Sequence, residues 1–270
     1  MHKEDIKISV VDVVVDSKLP YFKKSFESLL KQDCTDFEFI IVIGYPGTNT
    51  LQFLSEHQDT PFRVIPILEP ERDKSELPAR PSAQNMGINA ASGNVILTTQ
   101  DDIIFPENWV SSHIKWHATH KPPIAVFNKV LGAFTEEDTS TESDMWDRLA
   151  NPAITPIRGR WRYGSGHSFS YTATDDVRVP ESYNGRWGFE DIDLSYQLHK
   201  LGYWIYFDAD IIVMHQPHGD DVWSRREKGK ESFLRWLRDR SVNRRLFAER
   251  NGFCPEYGTP YNESDFNFAH

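Results

Sequence analysis

Three carboxylates within four residues, Glu190, Asp191 and Asp193, open a stretch that has the composition of a helix running to Leu201. Like charges this close repel one another and raise the pKa of each acid. Such a cluster is therefore solvated, paired with cations, or used for proton transfer. Another interpretation needs no chemistry, because acids in the first turn of a helix complement its dipole. The cluster alone leaves the two interpretations level.

Acids and a histidine also follow apolar segments elsewhere in the chain. Asp101 and Asp102 come just past the apolar residues 94–98, and His215 ends another apolar segment. Carboxylate oxygens are ligands that Mg²⁺ or Mn²⁺ takes when it also holds a diphosphate, and an imidazole would favour Mn²⁺. The pattern indicates a divalent-cation site, with a solvated acidic turn and a structural histidine as simpler alternatives. His218 is a rival ligand that spacing does not exclude.

Two further histidines, His113 and His117, lie four residues apart. This spacing places both on one face of a helix and is compatible with zinc, but no glutamate of the His-Glu-x-x-His type accompanies them. We therefore interpret these two histidines as surface residues.

Strands and helices alternate along the part of the chain that carries these residues. Helical spacing follows Pro20 and again Pro106, and residues 80–92 predict a helix that Gly93 ends. The alternation predicts right-handed β-α-β crossovers and an α/β fold with ligands beyond the carboxyl ends of the strands. The predicted strands are residues 8–15, 37–43, 62–68, 94–98, 124–130, 203–207 and 210–214.

The formal net charge of −10 over 270 residues argues against a nucleic-acid partner, because binding phosphates requires a basic face. The first ten residues hold no apolar run long enough for a signal peptide or a membrane span, so a cytoplasmic location is the default expectation. Residues 131–160 lack periodicity. Either this segment or residues 161–166 could form a lid over a ligand.

Residues 221–270 are richer in basic and aromatic side chains and predict a helical extension. Three interpretations fit this composition: a packed lid over an acceptor groove, a surface that meets anionic lipid-linked acceptors, and a solvated amphipathic helix. We favour the last, because it is the commonest outcome for such a composition. Any membrane contact would be peripheral and through this extension.

In combination these signals resemble a known family. Residues 9–49 and 80–109 resemble the donor half of a family-2 glycosyltransferase, with its arginine, Asn-x-Gly helix, Ala-x-Gly turn, strand and Asp-x-Asp motif. Residues 183–194 resemble the Trp-Gly-Gly-Glu-Asp segment of β-1,4-galactosyltransferases. Met214 and His215 stand where those enzymes place a metal-binding histidine. The resemblance implies the GT-A fold, which is Rossmann-like with a mostly parallel central sheet flanked by helices.

The resemblance also implies a role for each matched residue. One acid is the general base, its neighbour hydrogen-bonds the acceptor sugar, and Asp193 is left as a cap or a supporting partner. The implied site residues are Asp191 for catalysis, Glu190 and Trp187 for the acceptor, Arg80, Asp101 and Asp102 for the donor, and Asp102 and His215 for the metal.

The implied activity is inverting transfer of a hexose from a nucleotide-diphosphate sugar, a UDP-sugar by resemblance, to a hydroxyl of a glycan or lipid-linked acceptor, assisted by Mn²⁺ or Mg²⁺. The alternatives are a retaining transferase similar to polypeptide N-acetylgalactosaminyltransferases and a non-catalytic nucleotide-sugar or glycan-binding module on the same fold. We expect a catalytic domain over residues 1–220, in which residues 1–120 bind the donor and residues 121–220 the acceptor. The extension over residues 221–270 follows it.

Three positions depart from the family pattern. Gln100 replaces the first acid of Asp-x-Asp, which tempers the expected dependence on metal. The second predicted strand ends Ile43-Gly44-Tyr45, where the family usually has an aspartate that contacts uracil, so the identity of the nucleotide base is left open. Phe189 replaces the second glycine of the galactosyltransferase segment, and this change should alter the acceptor side.

Overall fold

The computed structural model describes residues 6–71, 80–132, 168–184, 188–216, 230–254 and 259–260. In these residues an eight-stranded sheet has the order β3-β2-β1-β4-β7-β6-β8-β5, and β9 pairs with β10 apart from it. The strands are β1 (Ile8–Val14), β2 (Phe37–Ile43), β3 (Arg63–Leu68), β4 (Val95–Thr99), β5 (Ile103–Ile104), β6 (Ile124–Gly132), β7 (Ser168–Thr172), β8 (Trp204–His215), β9 (Phe253–Cys254) and β10 (Thr259–Pro260). The helices are α1 (Leu19–Leu29), α2 (Thr48–Glu56), α3 (Arg80–Ala90), α4 (Trp109–Thr119), α5 (Glu190–Lys200) and α6 (Lys230–Asn251).

The sheet confirms the predicted α/β fold with a mostly parallel sheet. Strands β3, β2, β1 and β4 run parallel to one another, and β6 runs parallel to β8. Strand β7 lies antiparallel between β4 and β6, and the short β5 lies antiparallel to β8 at the edge. The carboxyl ends of β1, β2 and β4 consequently meet along one edge, where the predicted donor site should lie.

The prediction of two strands over residues 203–207 and 210–214 was wrong, because both belong to the single strand β8. Its pairing with β6 shifts register between Asn128 and Lys129, and the chain turns locally where the Asp210 amide donates to Asp208 Oδ1 at 2.8 Å. The two acids resemble a turn signal. An irregularity within the pairing accommodates them without ending the strand.

Helices cover both faces of the sheet. All seven residues of β2 are buried, as expected for a strand sandwiched between two helical layers. On one face, α1, α2 and α4 bury an aromatic cluster that includes Phe22, Phe26 and Phe39. On the other face, α3 and α5 bury Ile88 and Leu194. The helix with the predicted donor arginine and the helix with the acid cluster therefore share one side of the sheet.

Helix α3 lies unusually close to the sheet. A β-carbon at Gly87 would stand 2.4 Å from Val11 Cγ1, so a glycine is required there. The Asn85 side chain donates to the Val179 carbonyl and accepts from the Val179 amide, each at 2.8 Å. This reciprocal pair ties the segment before the acid cluster to α3, which explains the Asn-x-Gly spacing structurally.

The C-terminal half of α6 packs against α5. Of the side chains that the structure describes in α6, those of Asn243, Phe247 and Ala248 are fully buried. Phe247 joins the cluster formed by Phe189 and Ile192. The favoured interpretation of a solvated amphipathic helix was wrong for this half. Composition gives the width of an apolar face, whereas the surface that covers it is set by the tertiary fold.

The interpretation of His113 and His117 as surface residues was also wrong. Both side chains are buried between α4 and the sheet, where His113 Nδ1 lies 2.8 Å and His117 Nε2 lies 2.9 Å from Ser170 Oγ. Burial lowers the pKa of His113 to about 3, and burial together with the two neighbouring histidines lowers that of His117 to about 3. Both rings are neutral parts of the core.

No helix in the described parts of the chain is long and apolar enough to cross a membrane.

The buried histidines should make the fold sensitive to acid. In the unfolded chain an imidazole has a pKa of about 6.5, so the unfolded state binds a proton at each ring below that pH. The buried rings of the native state stay neutral there, and the fold therefore loses stability as the pH falls. Each histidine should therefore remove about 2 kcal/mol of unfolding free energy between pH 7.5 and pH 5. Urea unfolding of the wild type, His113→Leu and His117→Leu at both pH values measures this loss, which each variant should reduce.

In each of these variants Ser170 keeps one histidine partner, and all other titrating groups are shared with the wild type. An equal pH dependence in all three proteins would show that the two rings titrate in the native state as they do in the unfolded chain, and would contradict the prediction.

Candidate active site

The acids after β4 lie in a turn whose backbone carbonyls accept hydrogen bonds from two other segments of the chain. Ser25 Oγ donates to the Asp101 carbonyl at 3.1 Å, and the Gln216 amide donates to the Asp102 carbonyl at 2.9 Å. The second bond joins the end of β4 to the end of β8, because Gln216 follows His215 directly. Two distant segments of the sequence therefore meet in one turn.

Asp102 lies between a histidine and a lysine. His215 Nε2 is 3.6 Å from Asp102 Oδ1, and Lys18 Nζ is 3.9 Å from Asp102 Oδ2. The structure thus brings together the two predicted metal ligands. Lys18 was missed, although it follows β1 at the same edge of the sheet, where strand order would have placed it.

Asp102 and His215 could provide only part of the ligands that a divalent cation needs. The described residues contain no group of three or more histidine, cysteine, aspartate or glutamate side chains able to hold a metal ion. Asp102 and His215 offer one oxygen and one nitrogen ligand at a spacing that one ion can bridge with little movement. Oxygens of a bound diphosphate would supply further ligands, which is the usual arrangement for Mg²⁺ at phosphate sites.

Asp12 is a second residue near this site, after Lys18, that the sequence pattern did not single out. Its carboxyl is buried within β1, and burial raises its pKa to about 7, against the opposing charge of Arg80. Burial also raises the pKa of Asp101, with further contributions from the charges of Asp102 and Asp12. A single acid inside a continuous apolar strand was the available signal, because such a charge is costly unless a site uses it.

Arg80, the first residue of α3, acts on acids from both predicted halves of the site. Its positive charge lowers the pKa of Asp12 and of Asp101 on the donor side. It also lowers the pKa of Glu190 at the start of α5. Since such interactions weaken with distance, the predicted donor arginine lies near the predicted acceptor acid.

The carboxyl group of Glu190 has a pKa near neutral pH. Burial raises its pKa to about 7, helped by the negative charge of Asp191 and opposed by Arg80. Its Oε2 atom is buried and has no hydrogen-bond partner among the described residues. Asp191 is partly exposed, and its Oδ1 accepts the amide of Ile192 at 2.8 Å. Both acids stand at the start of α5, as predicted.

Asp193 has a different role from its two neighbours. It is fully buried, and its Oδ2 accepts the Tyr183 hydroxyl at 2.8 Å while its Oδ1 accepts from Gln197 Nε2 at 2.9 Å and from Arg250 at 3.0 Å. Asp193, expected as a cap or a supporting partner, thus bonds to side chains before, within and beyond α5.

Gly44 lies beside an acid that follows the neighbouring strand of the sheet. A β-carbon at Gly44 would stand 3.4 Å from Glu69 Oε2, and Glu69 is buried just past the end of β3. The chain has no carboxylate at the end of β2, where the resemblance led us to expect an aspartate, and Glu69 provides one beside this position.

Several predicted residues lie outside the described part of the chain. They are Trp187, the rival ligand His218, the lid candidate 161–166, and the lid candidate 131–160 apart from its first two residues, which belong to β6.

Comparison with known proteins decides the family. Residues 9–173 match the family described as Glycosyl transferase family 2, and this match covers more than half of the 270 residues. The chain belongs to glycosyl transferase family 2. The match includes β1 to β7 with Asp12, Arg80, Asp101 and Asp102, and it ends before α5.

An uncharacterized glycosyltransferase of Methanocaldococcus jannaschii is 31% identical to this family-2 chain over 102 residues. Those residues are 37% of this chain and 33% of that protein, so the match spans about a third of the relative's length. The shared stretch supports the family assignment.

Solved structures share the fold. S. aureus TarS 1–349 matches with a TM-score of 0.61 and 17% identity over 97% of this chain and 68% of that one. The mannosyltransferase PcManGT from Pyrobaculum calidifontis, solved with GDP-Man and Mn²⁺, matches with a TM-score of 0.59 and 16% identity over 92% and 66% of the two chains. TarS has also been solved with UDP-GlcNAc. The GT-A fold inferred from the sequence is confirmed, whereas the galactosyltransferase-like segment remains a resemblance.

The pair formed by Asp102 and His215 should bind Mn²⁺ together with a nucleoside diphosphate. Asp102→Asn and His215→Ala should each weaken Mn²⁺ binding in the presence of UDP or GDP by roughly tenfold or more, because removal of even a supporting contact at a metal site has effects of that size. Electron paramagnetic resonance of free Mn²⁺ measures this without any turnover.

Asp175→Asn is the matched control, since Asp175 is exposed in a turn away from this pair. Unchanged Mn²⁺ affinity in both site variants would mean that the two residues do not hold the ion.

Proposed function

We propose that this family-2 protein transfers a hexose, with inversion, from a nucleotide-diphosphate sugar to a hydroxyl of a glycan or lipid-linked acceptor. The observation that carries the proposal is the position of Arg80 at the start of α3, where the Asn184 side chain, from the segment that leads into α5, donates to Ser82 Oγ at 2.7 Å. The charge of Arg80 acts on Asp101 at the donor side and on Glu190 at the acceptor side. A donor bound at the strand ends would thus have its sugar near the start of α5. Family membership and shared fold support the reaction class.

On the donor side, the chain offers positive charge beside its acids. Arg80 and Lys18 lie near Asp101 and Asp102 and offset part of their repulsion for a diphosphate. A divalent ion held by Asp102 and His215 would neutralise charge on the departing diphosphate. We propose a UDP-sugar as the donor. This choice rests on the resemblance alone, since the aspartate that would contact uracil is absent at the end of β2.

On the acceptor side, we assign the proton transfer to Asp191. Its partly exposed carboxylate accepts the proton of the attacking hydroxyl while that oxygen bonds to the anomeric carbon. The bond from that carbon to the diphosphate oxygen breaks, and its electron pair leaves with the nucleoside diphosphate. Attack from the opposite face inverts the anomeric centre. Glu190 accepts a hydrogen bond from the acceptor through its carboxylate and so orients the sugar.

The proposal predicts a large and specific loss in Asp191→Asn. Removal of a general base should lower kcat by about 10²–10⁴-fold and leave donor affinity within about twofold, because the base acts on the hydroxyl. The measurement is nucleotide release from a panel of UDP- and GDP-hexoses, with and without Mn²⁺, combined with calorimetry of donor binding. Nuclear magnetic resonance of the product gives its anomeric configuration.

Full transfer by Asp191→Asn would overturn the assignment of the base. Retained anomeric configuration would favour the retaining alternative, and tight donor binding without turnover in any acceptor screen would favour a binding module.

Glu190 should impose its own pH dependence on transfer. Its pKa of about 7 means that the carboxylate needed to accept the acceptor's hydrogen bond forms as pH rises from 6 to 8. We therefore expect kcat/KM for the acceptor to rise through this range in the wild type. In Glu190→Gln, kcat/KM should be lower and nearly independent of pH between 6 and 8. The same inflection in both proteins would assign it to another group.

A further inference from the structure

The residue before the acidic cluster has a backbone conformation that its side chain disfavours. Phe189 has a φ of 76°, in the left-handed region. Among the residues that the structure describes, the others with a positive φ are glycines. Gly188 before it has a φ of 82°. A phenylalanine persists in this region only where the surroundings compensate for the steric cost. Because Glu190 follows directly, this conformation sets where α5 begins and where its acids point.

Contacts from α6 provide that compensation. Phe189 is 2% exposed, and its ring centroid lies 6.3 Å from that of Phe247 in α6. Phe247 also contacts Tyr196 of α5 edge-on, with the ring centroids 5.6 Å apart. The side chain that disfavours the backbone conformation is thus held by a residue nearly sixty positions later in the chain.

Polar contacts from α6 fix the same turn on both sides. Asn243 Nδ2 donates to the Gly188 carbonyl at 2.7 Å, one residue before Phe189. Arg250 donates to Asp193 Oδ1 at 3.0 Å, in the first turn of α5. Since Asp193 also accepts the Tyr183 hydroxyl, the turn is anchored before and after Glu190 and Asp191.

We propose that α6 is a positioning element for transfer, and that Asn243, Phe247 and Arg250 hold the start of α5 so that Glu190 and Asp191 face the acceptor. The inference rests on the proposed function, because it assigns a purpose to the geometry of those two acids. None of these three side chains takes part in the reaction itself. They act through the backbone of residues 188–193.

Asn243→Ala tests the proposal most cleanly, since it removes one hydrogen bond and leaves the aromatic cluster in place. We expect kcat to fall by tenfold or more while donor affinity changes less than twofold, because the donor-side residues lie at the ends of β1, β4 and β8 and at the start of α3. Phe247→Ala should show the same separation, and Phe247→Leu should recover part of kcat. Arg245→Ala is the matched control on α6, because Arg245 is exposed and paired with Glu249 at 2.7 Å.

A double-variant cycle tests whether Phe247 acts through Phe189. If it does, the losses of kcat in Phe189→Gly and Phe247→Ala do not multiply, because glycine adopts a positive φ without steric cost and needs no ring to hold it. The double variant should then be no slower than Phe247→Ala. Losses that multiply would show that the two residues act independently and would overturn the route through the backbone.

Donor calorimetry and thermal unfolding separate the remaining outcomes. Unchanged kcat in Asn243→Ala would overturn the inference, and so would a fall in kcat matched by an equal fall in donor affinity, which indicates general damage. If Phe247→Ala does not fold, Asn243→Ala and Arg250→Lys decide. A wild-type protein that binds no sugar nucleotide would instead refute the proposed function.

Discussion

Burial of carboxyl groups around one arginine is the constraint on which the site depends. Asp12, Asp101 and Glu190 all have raised pKa values, with burial as the largest cause, and the charge of Arg80 opposes the rise at each of them. The fold thus accepts the cost of removing several acids from water. An added diphosphate would be repelled by the ionised acids, so donor and cation should bind cooperatively, each lowering the cost of the other.

The second constraint is mechanical, and α3 provides it. Gly87 lets this helix lie against Val11, while the Asn85 side chain hydrogen-bonds both the amide and the carbonyl of Val179. At the helix start, the Asn184 side chain donates to Ser82 Oγ at 2.7 Å. Arg80 is therefore attached to the sheet on one side and to the segment leading into α5 on the other. The position of its charge between the two halves follows from these contacts.

Much of the fold was readable from the sequence because buried parallel strands give continuous apolar runs, such as β2. The pairing of Asp102 with His215 was also predictable, since both follow strands, and residues after strands gather at an edge of the sheet. Other features depend on tertiary contacts that no local pattern encodes. The sequence of a helix does not show whether a histidine on it faces water or a buried partner such as Ser170. The sequence of the C-terminal extension likewise has apolar residues but does not show that α5 covers them.

Ser170 joins two imidazoles through a single hydroxyl, and that hydroxyl carries one proton. It can donate to only one ring and must accept from the other. If it donates to His113 Nδ1, both rings carry their proton on Nε2; if it donates to His117 Nε2, both carry it on Nδ1. The two histidines consequently always share the same tautomer, and a change in one ring requires the hydroxyl to turn and the other ring to follow.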